Sequence, residues 1–453
     1  MQQLLNAMSK GSEHGLVSQS AGNFVISDVL SNGFSLIRQR FPFRWTFVHA
    51  MKIALYSLFS PVSREVLLAD CPQYDTLDYA GRLAAHQKYN YWHLGWREAL
   101  EAIGYEFLLV PFGTTDLLQQ WAKENGVAPA TNEELALEMI RKAQPDVLIF
   151  HHHLSRMLRA IRENVPSIRF AMVMIGVTVI DTELFRFAEL MVSSSPDTIA
   201  QYHAHGVPNA LVAHAFYPPI IDLFQKKPDA NRFVFAGSLI RRKNYHYGRD
   251  RLLAELVKRE IPVEIYSTAI RYTSSKQIFK TVAKQVIYPG VLAVQQVPAL
   301  RRVLSRFRYL EHALDLPDFP RFPVNPVLKP HLRPPFFGND MLQLLADASI
   351  VLNTHRDDQA TASNMRLYET TGAGTCLLTD GKPNLHEYFV EDEEVITFRS
   401  IEECIEKVKW LLNHPKERQA IALAGQRRTL RDHTFDQRAA QLDHIIRKRL
   451  GNA

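Results

Sequence analysis

The sequence predicts an α/β protein made of two successive parallel-sheet halves. Three observations carry this. Short apolar runs alternate with helical patterns along most of the 453 residues. The series is interrupted once by a proline- and charge-rich stretch, after which it starts again. A chain of this length also exceeds what one ordinary core serves, so two large domains are the default.

Residues 1–50 form an N-terminal extension that joins no pattern. Its segment LIRQRFPFRWTFVH mixes arginine with aromatics; an interfacial anchor, an added helix and an upstream start codon each account for it. Met51 opens MKIALYSLF, the first strand. YEFLLVPF, PDVLIFHH, RFAMVMIGV, AELMVSSS and NALVAHAF follow as strands, with helical patterns such as WREALEAIG and SPDTIAQYHAHG between them. Strands alternating with helices mean βαβ units and a parallel sheet. This gives a first domain over residues 51–220 and, within YPPIIDLFQKKPDANR, a linker at 221–231. The runs RFVFAGSL, PVEIYS, SIVLNTH, TCLLTD and EVITF build a second domain over 232–425. AGQRRTLRDHTFDQRAAQLDHIIRKRL reads as a long amphipathic helix or helix pair, with a C-terminal segment at 426–453. One insertion, 268–310, breaks the second series. It contains no acid, while Arg271, Lys276, Lys280, Lys284, Arg301, Arg302, Arg306 and Arg308 make it strongly basic.

Composition excludes several classes. With 46% hydrophobic and 22% charged residues the chain is globular rather than disordered. Cys71, Cys376 and Cys404 are odd in number and far apart, which speaks against a disulfide framework and for a reducing cytoplasm. No apolar run is long enough to span a bilayer, and the N-terminus lacks the pattern of a signal peptide. The net charge of +6 suits an acidic partner, whether nucleic acid, lipid phosphate or phosphorylated substrate.

Ligands of open parallel sheets sit beyond the carboxyl ends of the strands. There the second half offers FAGSLIRRKN: Gly237 and Ser238 end a strand, and Arg241, Arg242 and Lys243 follow. A glycine lets backbone approach a phosphate and the cations neutralise it; a solvated basic loop explains the same residues. The stretch NMRLYETTGAGTCLLTD supplies a helix behind the turn Thr361–Asn364. In it Ser363, Asn364, Met365 and Arg366 mark the N-terminal end, and Glu369 lies one turn inside. Such a carboxylate can accept from a ribose diol while the helix start faces a diphosphate. An ordinary helix-dipole-favoured glutamate is the alternative. In the first half, HHHLSR places His151, His152 and His153 at a strand end where the cleft should lie. His93 in YWHLGW and His214 in VAHAF are further candidates for proton transfer. Three adjacent histidines do not converge easily on a metal.

The run SNMRLYETTGAGTCLLTDGKPNLHEYFVEDEEVITFRSIEECIEKVKWLLNHPKERQAIALAGQRRTLRDHTFDQR resembles the C-terminal signature of group 1 glycosyltransferases, most closely the CgeB-like, spore-maturation-protein-like branch. MVSSSPDTIAQYHAHGVPNALVAHAFYP and RFVFAGSL resemble it too. The likeness extends over residues 51–450, with 345–440 the diagnostic part. It implies the GT-B fold: two Rossmann-like domains facing across a cleft, the acceptor in the first and the donor nucleotide in the second, with a C-terminal helix returning toward the first domain. It implies a glycosyltransferase that uses a nucleotide diphosphate sugar as donor substrate, and a cell-envelope, polysaccharide or protein acceptor, lipid-linked acceptors included. Relatives frame the donor with a Glu-x7-Glu pair. Glu369 matches the second member, whereas Thr361 stands where the first acid would be. Arg241, Arg242 and Lys243 fall where the diphosphate-binding cations are expected, and His214 matches a family position.

Departure of a diphosphate needs either a divalent metal or fixed cations. No Asp-x-Asp motif occurs, so the expectation is catalysis without a required metal or cofactor. A cytoplasmic protein touching an anionic membrane peripherally, with no nucleic-acid partner, completes the reading. Two alternatives stand beside it: a nucleotide-sugar epimerase of the same fold, and a non-catalytic coat or binding protein.

Overall fold

A computed structural model describes residues 50–59, 62, 64–176, 179, 181–225, 231–239, 245–297 and 324–451. Residues from Ala50 onward belong to one compact unit. Arg241, Arg242 and Lys243, the N-terminal extension and the end of the basic insertion lie outside the described residues.

The first sheet has six strands, β1 (Lys52–Leu58), β2 (Glu106–Phe112), β3 (Val147–His151), β4 (Phe170–Met174), β5 (Leu190–Ser193) and β6 (Asn209–Leu211), in the order β2-β1-β3-β4-β5-β6. Every pairing is parallel. Side chains alternate between faces: Ala54, Tyr56, Leu148 and Phe150 enter one core, while Ile53, Leu55, Val147 and Ile149 enter the other. A sheet covered on both faces explains why its strands read as continuous apolar runs.

The second sheet repeats the plan with β7 (Phe233–Ala236), β8 (Val263–Tyr266), β9 (Leu332–Arg333), β10 (Ile350–Asn353), β11 (Cys376–Asp380) and β12 (Ile396–Phe398), ordered β12-β11-β10-β7-β8-β9 and again parallel. In both sheets the opening strand has neighbours on either side, so the chain winds outward twice from it. That is the switch-point topology at which open parallel sheets hold ligands.

The closing segment is a helix pair, Pro415–Asp432 and Phe435–Leu450. A capping box of Thr434 and Gln437 starts the last helix. It returns to the first sheet and buries Phe435, Ala439, Leu442 and Ile446 there, a spacing that lies on one helical face. Gly95 permits this approach, since a Cβ there would lie 2.4 Å from the Phe435 ring. At the crossing, Phe216 N–H donates to the His433 carbonyl at 2.8 Å. The Phe216 ring is wholly buried, and a Cβ on Gly372 would approach it to 2.3 Å.

Two local readings change in the structure. NALVAHAF is a strand only over Asn209–Leu211; His214 lies beyond the strand end. The two-residue strand β9 lies in the proline-rich stretch PHLRPP and is too short to show periodicity. The glutamate-bearing helix spans Arg366–Gly372 and follows the Thr361–Asn364 turn, as the sequence leads one to expect.

Candidate active site

A cleft of about 420 Å³ lies between the carboxyl ends of the two sheets. From the first half it is lined by Trp92, His93, His151, Ser194 and His214, and from the second by Gly237, Ser238, Met365, Arg366 and Glu369. Most of the residues expected from sequence therefore meet here, although they come from distant parts of the chain.

The first wall is built by strand register. Ser57 of β1 is the direct partner of His151 of β3. Ser57 is fully buried, and its Oγ lies 2.9 Å from His151 Nδ1 and 2.7 Å from His93 Nε2. His93 comes from the helix Tyr91–Ala102, whose first turn also presents Trp92. The Trp92 ring lies 4.7 Å from that of His151. Beyond the ends of β5 and β6, His214 Nε2 lies 3.0 Å from Ser194 Oγ. Burial is the first cause that lowers all three histidines, His93 to about 3 and His151 and His214 to about 4; His151 adds to it for His93 and His214, Arg438 for His214, and His153 and His152 for His151. At neutral pH the wall is uncharged.

The second wall is polar and ion-paired. Glu369 is 4% exposed and pairs with Arg366 at 2.8 Å. Arg366 also donates to the Ala236 carbonyl at 3.1 Å, which ties it to the end of β7. Across the cleft Tyr91, from the first half, donates its hydroxyl to Glu369 Oε1. A carboxylate has about four acceptor positions, so these two contacts leave capacity for a diol. Beneath Ser238 the guanidinium of Arg249 donates to the Ser238 carbonyl at 2.8 Å and to Thr354 Oγ1 at 2.7 Å. Arg249 therefore supports the loop that follows β7. Thr361, in the place of the absent acid, donates through its backbone and hydroxyl to Asp197 of the other half at 3.1 and 3.0 Å.

His152, Ser363 and Asn364 do not line the cleft. His152 follows His151 in sequence and turns to the opposite face, as successive strand residues do. Its ring packs near Phe112 and Tyr56, and its Nδ1 accepts from the Leu154 N–H at 3.2 Å. Ser363 is buried, and Asn364 donates to Asn353 at 2.9 Å, so both serve the turn. Sequence reasoning missed Ser57, Tyr91, Trp92, Ser194 and Arg249. Among the described residues, no group of three or more His, Cys, Asp or Glu side chains has the arrangement of a metal site.

Comparison with known proteins bears on the fold. Residues 299–444 match the family model described as "Glycosyl transferase-like". No curated protein matches the chain. A glycosyltransferase from Rickettsia africae ESF-5 superposes with a TM-score of 0.51 at 10% identity, covering 89% of this chain and 100% of that one. An alpha-glucosyltransferase in complex with UDP-glucose and DNA containing an abasic site superposes with a TM-score of 0.53 at 11% identity, covering 88% of this chain and 99% of its own. Such identities speak to the fold alone. With its two six-stranded parallel sheets and its returning C-terminal helix, the chain has the GT-B fold, and residues 299–444 are similar to the glycosyl transferase-like family.

Proposed function

We propose that this protein is a glycosyltransferase, of the CgeB-like branch by its sequence signature, that moves a sugar from a nucleotide diphosphate donor to a cell-envelope, polysaccharide or protein acceptor. One observation carries the reading: a wall of neutral histidines faces an ion-paired Glu369–Arg366 wall across a single cleft. In the reaction the bond between the sugar's anomeric carbon and the diphosphate oxygen breaks. A bond to the acceptor oxygen forms, and the acceptor's hydroxyl proton must go to a base.

The domains take the roles that their chemistry fits. The first, residues 51–220, receives the acceptor; the second, from 232 to 425, holds the donor. Glu369 accepts from the ribose hydroxyls. Arg366, with Arg241, Arg242 and Lys243 of the basic loop, neutralises the departing diphosphate, so we propose that no divalent metal is required. The absence of any Asp-x-Asp motif supports this choice. The unpaired cysteines are consistent with a cytoplasmic site of action.

His151 is the proton acceptor in this scheme. The Ser57 hydroxyl can donate to only one of its two ring neighbours. In this scheme it donates to Nε2 of His93. Ser57 Oγ then accepts from Nδ1–H of His151, and His151 Nε2 is left with a lone pair. Burial keeps His151 neutral until a proton arrives. The negative charge growing on the diphosphate raises its basicity at that moment, since an opposite charge favours the imidazolium.

Incubation with a panel of isotopically labelled nucleotide sugars and envelope glycan acceptors tests the reading. Transfer or slow donor hydrolysis, resistant to EDTA, is the expected result. Interconversion of the sugar without transfer would indicate an epimerase. Inertness toward every donor, together with no nucleotide binding, would leave a non-catalytic protein.

A further inference from the structure

The connection between β8 and β9 carries an element that the cleft does not use. The chain leaves the cleft at Thr268, one of its lining residues, passes through the 3₁₀ turn Thr268–Tyr272 and enters the 21-residue helix Ser275–Gln295. Thr281, Tyr288 and Val291 form the buried side of this helix. The remainder is unusual for a surface helix. Phe279 and Val286 are each 75% exposed, with Val282 at 42% between them. At 100° per residue, positions 279, 282 and 286 fall on one stripe. Lys276, Lys280 and Lys284 are exposed and, four apart, follow one another round the helix from the edge of that stripe, with Lys276 nearest to it and Lys284 furthest round toward the buried side. No acid occurs from Thr268 to Leu310, so nothing in this segment neutralises them.

We infer that the exposed face of the Ser275–Gln295 helix docks on an anionic phospholipid bilayer. An interfacial helix needs both features found here: an apolar stripe to enter the acyl boundary and flanking cations to meet the phosphates. A nucleic acid would satisfy the lysines but leave the Phe279–Val282–Val286 stripe in water, and a purely solvated helix would satisfy neither. No helix among the described residues is long and apolar enough to cross a membrane, so the contact is a surface one. Because the helix begins a few residues from the cleft lining at Thr268, docking tethers the cleft to the membrane surface. An acceptor carried by a lipid or displayed at that surface would then meet the first-domain wall. Docking does not depend on the donor chemistry proposed above, so the two ideas fail separately.

Co-sedimentation of the full chain with phosphatidylcholine vesicles, with and without phosphatidylglycerol, tests it. The protein should pellet with the anionic vesicles at low salt, stay in solution with the neutral ones and be released as salt rises. Reversal of the lysines (K276E, K280E, K284E) should lower the bound fraction about tenfold or more. The double variant Phe279→Ser with Val286→Ser should lose binding as well. Both variants change only exposed side chains, so an unchanged melting curve confirms that they fold. Failure of the wild-type protein to bind anionic vesicles at low salt overturns the inference. So does equal binding to neutral vesicles, or undiminished binding by either variant.

Discussion

The two walls of the cleft bury polar groups in opposite ways. On the first wall His93, His151 and His214 are neutral, and the hydroxyls of Ser57 and Ser194 suffice as partners. On the second, Glu369 is buried and needs an opposite charge at 2.8 Å in Arg366. A neutral group survives burial with one hydrogen bond, whereas an ionised one must be paired. The contrast divides the chemistry: a group that receives a proton starts neutral, and a group that binds hydroxyls and sits beside a phosphate charge starts ionised.

The walls should therefore respond differently to damage. Glu369→Ala should be the most destabilising change in the cleft, because it leaves the partly buried Arg366 without its counter-charge and the buried Tyr91 without its acceptor. A loss of about 3–5 kcal/mol is expected from removing one partner of a buried pair. Urea unfolding of the wild type and the variant checks this, and a loss below that of an ordinary surface substitution would mean that the pair is solvated in solution. Gly372→Ala, at the joint where the Phe216 ring leaves no room for a Cβ, should cost about 1–3 kcal/mol through overpacking. A thermal melt that matches wild type would show that this joint relaxes freely.

On the histidine wall the expected effects are smaller. Ser57→Ala removes the hydroxyl shared by two buried rings and should cost about 1–3 kcal/mol. It should also move the pH profile of turnover, because His151 loses the partner that sets its tautomer. A variant with lower stability but an unmoved profile would make Ser57 a packing residue only. Acid should act through the same wall. The histidines bind protons more weakly folded, at about 3 for His93 and about 4 for His151 and His214, than at their ordinary 6.5. Their stabilising contribution is complete above pH 6.5 and is lost as pH falls from there through the folded values. Each adds a slope of up to about 1.4 kcal/mol per pH unit in that window. His93→Gln should flatten the decline of melting temperature between neutral pH and pH 5, and an identical slope would place the His93 proton elsewhere.

Much of this site was legible in the sequence, because parallel strands announce themselves as apolar runs and ligands collect at their carboxyl ends. His93, His151, His214, Gly237, Ser238, Arg366 and Glu369 are all cleft residues of that kind. The partners that make them work were not legible. Ser57 meets His151 only through the register of two strands separated by 94 positions, and Tyr91 reaches Glu369 across 278. A serine at a strand end and a tyrosine at a helix start carry no local mark of such pairing. His152 was misplaced because adjacency in sequence conceals the alternation of faces along a strand. The lysines 276, 280 and 284 and the apolar residues between them were visible in the sequence, but which of those apolar residues stay exposed showed only once the helix revealed that it buries Thr281, Tyr288 and Val291.

Titration calorimetry with UDP, GDP and dTDP on Glu369→Gln and His151→Gln, alongside a turnover assay, tests the division between the walls most directly. Glu369→Gln keeps the shape of the side chain, removes its charge and should weaken the preferred nucleotide by about 1.5–3 kcal/mol. His151→Gln should leave nucleotide affinity at the wild-type value while turnover collapses. Wild-type nucleotide affinity in Glu369→Gln, or a loss of nucleotide binding in His151→Gln equal to its loss of turnover, would contradict the account.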